Sequence, residues 1–115
     1  MLVIRGAQIF ALGEDSRRRF IERMVRMVER DFPHVCRGQD PAQRLAWVEA
    51  RYADARAAAF EKSSHVRAWI QLAAAHGEDF AQSPWAAPVL SDSALTADEK
   101  MSLLDERALF AETVS

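Results

Sequence analysis

Apolar residues recur at intervals of three and four along most of the 115-residue chain, the spacing that lines one face of an α-helix. Phe20, Ile21, Met24, Val25, Val28 and Phe32 form the first such face, and the pattern predicts a helical region from about Ala7 to Asp31. Gly13 interrupts this region, and Ser16 is placed to cap a new start. In a continuous helix Phe10, Gly13, Arg17, Phe20 and Met24 would share a face. That arrangement puts Arg17 in the apolar stripe, where an unpaired guanidinium is costly. Either the helix bends near Gly13, or Arg17 carries its head group out to water. Ahead of this region, Met1-Leu2-Val3-Ile4 reads as a short extended arm laid on the core, with a frayed helix start as the other reading. Pro33 closes the region, because proline disfavours helix at the residue before it.

Pro33 to Gln39 reads as a connector. Asp40-Pro41 then starts a second helix, with an acceptor at the cap and proline in the first turn. Leu45, Val48, Tyr52, Ala55 and Ala59 repeat at helical spacing, and this helix is expected to end near Lys62. Ser63 or Ser64 is placed to cap a third, in which Val66, Trp69, Ile70, Ala73 and Gly77 line one face. Leu72 and the alanines around it make the far side apolar as well, and a helix without a wide charged face is a central one. Gly77 is suited to a left-handed stop. The prolines at 84 and 88 permit only a short helix between Phe80 and Leu90, where Trp85, Val89 and Leu90 would plug one end of the bundle. Thr96 and Glu99 form a capping box. Met101, Leu104 and Ala108 make the inward stripe of the last helix, with Leu103 and Phe110 toward its flank.

The reading that follows is an all-α fold: a single-domain bundle of four to five helices with a short N-terminal extended arm, and helix 66–76 near its centre. The length suits one domain with one core. No apolar run reaches membrane-spanning length, and Met1 to Phe10 lacks the pattern of a secretory leader. With a single cysteine, Cys36, there is no disulfide framework, and the composition fits a reducing compartment. Net charge is −2, unevenly distributed: residues 1–77 carry net +4 and residues 78–115 net −6. An acidic C-terminal segment could steer a partner or lie on the basic body of its own molecule. The balance is not that of a nucleic-acid binder, and no membrane contact is expected.

Residue chemistry offers little for catalysis. His34 and Cys36 are too few for a structural zinc site, which takes four ligands, and His65 and His76 stand apart on a helix. A Cys36–His34 pair is cramped into one short connector. The adjacent carboxylates at 14–15, 78–79, 98–99 and 105–106 read as solvated surface or helix starts, since neighbours in sequence do not share a helix face. Four scattered glycines make no phosphate loop. No catalytic residue, metal or cofactor is therefore expected.

Two surface features remain as candidates for binding a protein. Arg17, Arg18, Arg19, Arg23, Arg26 and Arg30 form a basic cluster in which Arg19, Arg23, Arg26 and Arg30 share one face. Glu22 and Glu29 interrupt it, which allows ion pairs along the helix; if the cluster binds anything, an acidic protein surface fits best. Trp47 falls roughly 120° from the stripe of its own helix at about 100° per residue, next to Arg51. A Trp–Arg pair is common at protein interfaces. A second layer of the same chain could equally cover it.

Several short stretches, taken in order over nearly the whole chain, resemble a family of small, mostly uncharacterised bacterial proteins. They are Met1-Leu-Val-Ile-Arg5, Arg19-Phe-Ile-Glu-Arg-Met-Val25, Asp31-Phe-Pro33, Val66-Arg-Ala-Trp-Ile-Gln-Leu72, Gly77-Glu-Asp-Phe80, Pro84-Trp85 and the segment from Leu95 to Leu104. Genes of that family sit beside type VI secretion effectors, PAAR or VgrG spike components and effector chaperones. The chain departs from the family pattern at 40–62, which is unusually rich in alanine. The resemblance implies a cytoplasmic accessory or co-chaperone that binds an effector, its chaperone or a spike component, and it carries no catalytic residues. The alternatives are an immunity protein that occludes a toxin, for which the acidic segment would suit a nuclease, or a small helical enzyme or ligand-binding bundle.

Overall fold

Thirty residues of unbroken helix, α1 (Leu2–Asp31), open the fold. The computed structural model describes the backbone from Leu2 to Ala111 and side chains from Glu14 to Ala111. Between the two readings of the N-terminus, the backbone takes the helical one: Leu2, Val3 and Ile4 are the first turn of α1 and not an extended arm, while Met1 lies outside the described residues. Nor does the helix restart at Ser16. A mid-helix glycine costs about 1 kcal/mol relative to alanine, which weakens a helix without breaking it, and Gly13 is carried by regular helix on both sides. The buried face comprises Phe20, Ile21, Met24, Met27 and Val28, with Val25 and Phe32 packed against the same cluster. Arg17 resolves its conflict by reaching outward: it is exposed, with its guanidinium carbon 5.1 Å from the centre of the Tyr52 ring.

Phe32 breaks the helical backbone, and Pro33 begins a single turn, α2 (Pro33–Cys36), inside the expected connector. His34 holds this turn in place by donating from Nε2 to the carbonyl of Ala74, 2.8 Å away, one of the last carbonyls of the central helix that lack a helical partner. Helix α3 (Pro41–Ala57) starts as the sequence indicates, with Asp40 capping Gln43 and the Gln43 side chain returning to the Asp40 amide. It stops five residues earlier than Lys62. Ala58 ends it, Ala59 takes a left-handed φ of 71°, and the chain turns so that Phe60 is fully buried.

Helix α4 (Ser63–His76) is the centre of the bundle. His65, Val66, Trp69, Ile70, Leu72, Ala73 and Ala74 are all buried, and α1, α3 and the last helix pack on it. Its cap position is Lys62, one residue before the expected serines, and no side chain caps it. Gly77 ends it at φ 102° and ψ 152°, a region open to glycine almost alone. A 3-10 turn (Phe80–Gln82) and the single turn α5 (Ala87–Leu90) follow, with Phe80 and Val89 buried and Trp85 and Leu90 packed on the cluster. Helix α6 (Ala97–Ala108) begins at the Thr96–Glu99 capping box and buries Met101 and Leu104.

Every regular element among the described residues is helical: four long helices, two single turns and one 3-10 turn. One hydrophobic cluster draws on all of them. Its middle is a run of aromatic contacts, with the Trp69 ring centre 5.7 Å from Phe60 and 4.7 Å from Phe80, and Phe80 5.9 Å from Trp85. No described helix is long and apolar enough to cross a membrane.

Candidate functional site

The arginine row lies where helical arithmetic puts it. Arg19, Arg23, Arg26 and Arg30 are exposed on the face of α1 turned away from Met24 and Val28. Their neighbours treat them differently. Arg19 pairs with Asp15 one turn earlier. Arg30 holds both oxygens of Asp31, from Nε at 2.9 Å and Nη2 at 3.0 Å, and this hydrogen-bonded pairing lowers the Asp31 pKa and raises that of Arg30. Arg23 sits over the Phe20 ring at 5.8 Å. Arg18 and Arg26 form no ion pair with a described residue. Glu29, which the sequence sets among these arginines, instead crosses to α3 and takes Arg44 Nη1 at 2.8 Å.

Trp47 and Arg51 also come together, with the Arg51 guanidinium carbon 5.4 Å from the Trp47 ring centre. Both are tied into the molecule. Trp47 packs against the hydrophobic cluster. Arg51, whose side chain is only 13% exposed, donates from Nε to Asp54 at 2.9 Å and from Nη1 to Glu78 at 2.6 Å. Glu78 comes from the turn that follows Gly77, so the layer covering this side of α3 is the start of the acidic segment.

The same segment docks a second time. Asp98, in the first turn of α6, accepts from Lys62 Nζ with both oxygens at 3.1 Å and lies 2.7 Å from His65 Nε2. The hydrogen bond from Lys62, with its charge and then that of His65, holds the Asp98 carboxyl below the usual range. Two turns further on, burial pushes the Asp105 carboxyl upward against the pull of His65. The other imidazole nitrogen of His65, Nδ1, is buried without a partner, as is the Trp69 indole nitrogen. Sequence reasoning set His65 aside as a lone helix histidine; only the return of α6 brings a carboxylate to it.

The remaining residues with reactive side chains are separated. Cys36 is buried, and burial raises its thiol pKa. His34 is engaged with Ala74, and His76 lies against Trp85 with ring centres 5.2 Å apart. Among the described residues no three of His, Cys, Asp and Glu are grouped to hold a metal ion.

Open surface flanks α1 on both sides. A groove of about 540 Å³ between α1 and α3 is lined by Arg17, Arg18, Ile21, Glu22, Leu45 and Glu49, among others. A cavity of about 310 Å³ on the other side runs toward the start of α4. At the far end of the chain Leu109 and Phe110 are 81% and 88% exposed. Compared with family models, curated proteins and solved structures, the chain matches none.

Proposed function

We propose that this chain is a non-catalytic protein-binding accessory, an adaptor or co-chaperone in the loading of a type VI secretion effector. The observation that supports this best is the arginine row of α1. Four guanidiniums, Arg19 to Arg30, stand exposed on one helix face, over about 16 Å at 1.5 Å per residue. A row of that length complements an acidic protein surface and favours rapid, oriented encounter. The resemblance to proteins encoded beside type VI effectors supplies the partner class: effector, effector chaperone or spike component. Trp47 and Arg51 stand outside this row, because the fold itself engages both.

The test is co-purification of the chain with the effector, chaperone and spike component encoded beside its gene, each purified and presented separately. The wild-type protein is compared with the triple variant Arg19→Glu, Arg26→Glu, Arg30→Glu. The reading expects capture of one of the three, weakened at least tenfold by the triple variant and by raising salt from about 0.05 to 0.5 M. Failure to bind any of them, or binding indifferent to the triple variant, overturns it. Rescue of cells expressing the neighbouring toxin would point instead to an immunity protein, a role that the exposed acids Asp92, Glu99 and Glu106 could serve.

A further inference from the structure

Arg17 and Arg23 are held by rings and not by carboxylates. Arg17 stacks over Tyr52 and Arg23 over Phe20, and neither forms an ion pair with a described residue. All four side chains line the cavity of about 310 Å³ between α1, α3 and the start of α4. A guanidinium over an aromatic face keeps its N–H edge free for a planar or tetrahedral oxyanion.

Two serines join them and, with Tyr52, bring three hydroxyls to the cavity. Ser16, Tyr52 and Ser63 line the same cavity, and none has a hydrogen-bond partner among the described residues. Ser63 is also the first residue of the 14-residue helix α4, whose cap position, Lys62, supplies no side-chain acceptor. The first-turn amides of that helix are therefore uncapped by any side chain, at its positive end. One carboxylate, Glu61, shares the lining but pairs with neither arginine.

We propose that this cavity binds a compact oxyanion, a phosphate or a carboxylate group, with Arg17 and Arg23 as its two charged clamps and the hydroxyls as further donors. Glu61 acts against the ligand, as a local negative charge that keeps the affinity modest. The site shares Arg23 with the arginine row but is tested apart from the adaptor reading. It needs no protein partner, and the triple variant above leaves both of its arginines in place.

The experiment is an NMR titration of the nitrogen-15-labelled full chain, following the side-chain Nε–Hε signals of the arginines at constant ionic strength. Inorganic phosphate is the probe in one arm and acetate in the other. The proposal expects the Arg17 and Arg23 signals to shift saturably with at least one probe, while those of Arg26 and Arg30 stay. Saturation with phosphate alone assigns a phosphate site, with acetate alone a carboxylate site, and with both a general oxyanion site. Arg17→Gln and Arg23→Gln should each weaken binding about tenfold, Arg17→Lys should weaken it less, and Glu61→Gln should tighten it several-fold. Shifts that are linear and equal at all arginines would overturn the proposal, as would binding unchanged in Arg17→Gln and Arg23→Gln variants whose circular dichroism matches the wild type.

Discussion

The amide of Phe60 donates to the carbonyl of Ala55 at 3.0 Å, and both residues are fully buried. Together with the bond from the Ala59 amide to Arg56, also 3.0 Å, this is the paired closure that ends many helices. Its turning residue is normally glycine, yet here alanine holds the left-handed φ of 71°. A Cβ in that region costs about 1–2 kcal/mol, part of which glycine returns through its freer unfolded chain. Ala59→Gly is expected to stabilise the protein by about 0.5–1 kcal/mol, and Ala59→Val to destabilise it because a branched side chain fits that region worse. Urea denaturation midpoints check both.

Asp98 makes the join between α4 and α6 dependent on pH. Its carboxyl is held below the ordinary range by Lys62 and His65, with Asp105 the other acid near that histidine. A carboxyl with a lowered folded value stabilises fully above its unfolded value of about 4 and loses that contribution as pH falls through the folded value. The melting temperature of Asp98→Asn should therefore lie below that of the wild type at pH 6, and the gap should close as pH drops below about 4. A gap that stayed constant down to pH 2.5 would show that the side chain stabilises through something other than its charge.

Trp47 is half-buried against the core, although it lies off the main stripe of its helix. Truncating a fully buried Trp costs about 3–5 kcal/mol, so Trp47→Ala should cost less, about 2 kcal/mol. Arg51→Ala should loosen the turn at Glu78 with a smaller loss. If Trp47→Ala were neutral in thermal unfolding, its packing would be unimportant to the fold and its place would be on a binding surface.

Cys36 is shielded and its thiol pKa is raised by burial. Because the thiolate is the reactive form, modification by a disulfide reagent at pH 7.5 should be far slower than that of a free thiol in urea-unfolded chain. The native rate should follow the opening of the α1–α2 corner, and His34→Ala, which removes the bond to the Ala74 carbonyl that holds that corner, is expected to increase it.

The sequence was most legible where local chemistry sets the structure. Asp40-Pro41 and Thr96 with Glu99 start helices through bonds within four residues, and both starts were observed. The central place of α4 followed from its lack of a charged face. The early end of α3 was hidden, because nothing local marks Ala59 as a turning residue; burial of Phe60, a tertiary effect, decides it. The branched residues of the N-terminal turn leave extended and frayed-helix readings both open, and the helix nucleated downstream decides it by extending through them. For the candidate surface, the arginine row came from spacing alone. The cavity beside it did not, since Tyr52, Glu61 and Ser63 reach Arg17 and Arg23 only after the chain has folded back. The engagement of Arg51 by Glu78 was out of view for the same reason.

That the middle helix starts without a side-chain cap and packs against α6, the helix that buries Met101 and Leu104, bears on how the molecule folds. Little in its own local signals holds α4 together, and one of its walls is supplied by α6, a helix distant from it in sequence. A nascent chain halted near residue 95 would carry Trp69 and Ile70 without that wall. Cooperative folding is thus tied to the presence of α6, and a chain lacking that helix should be a substrate for proteases.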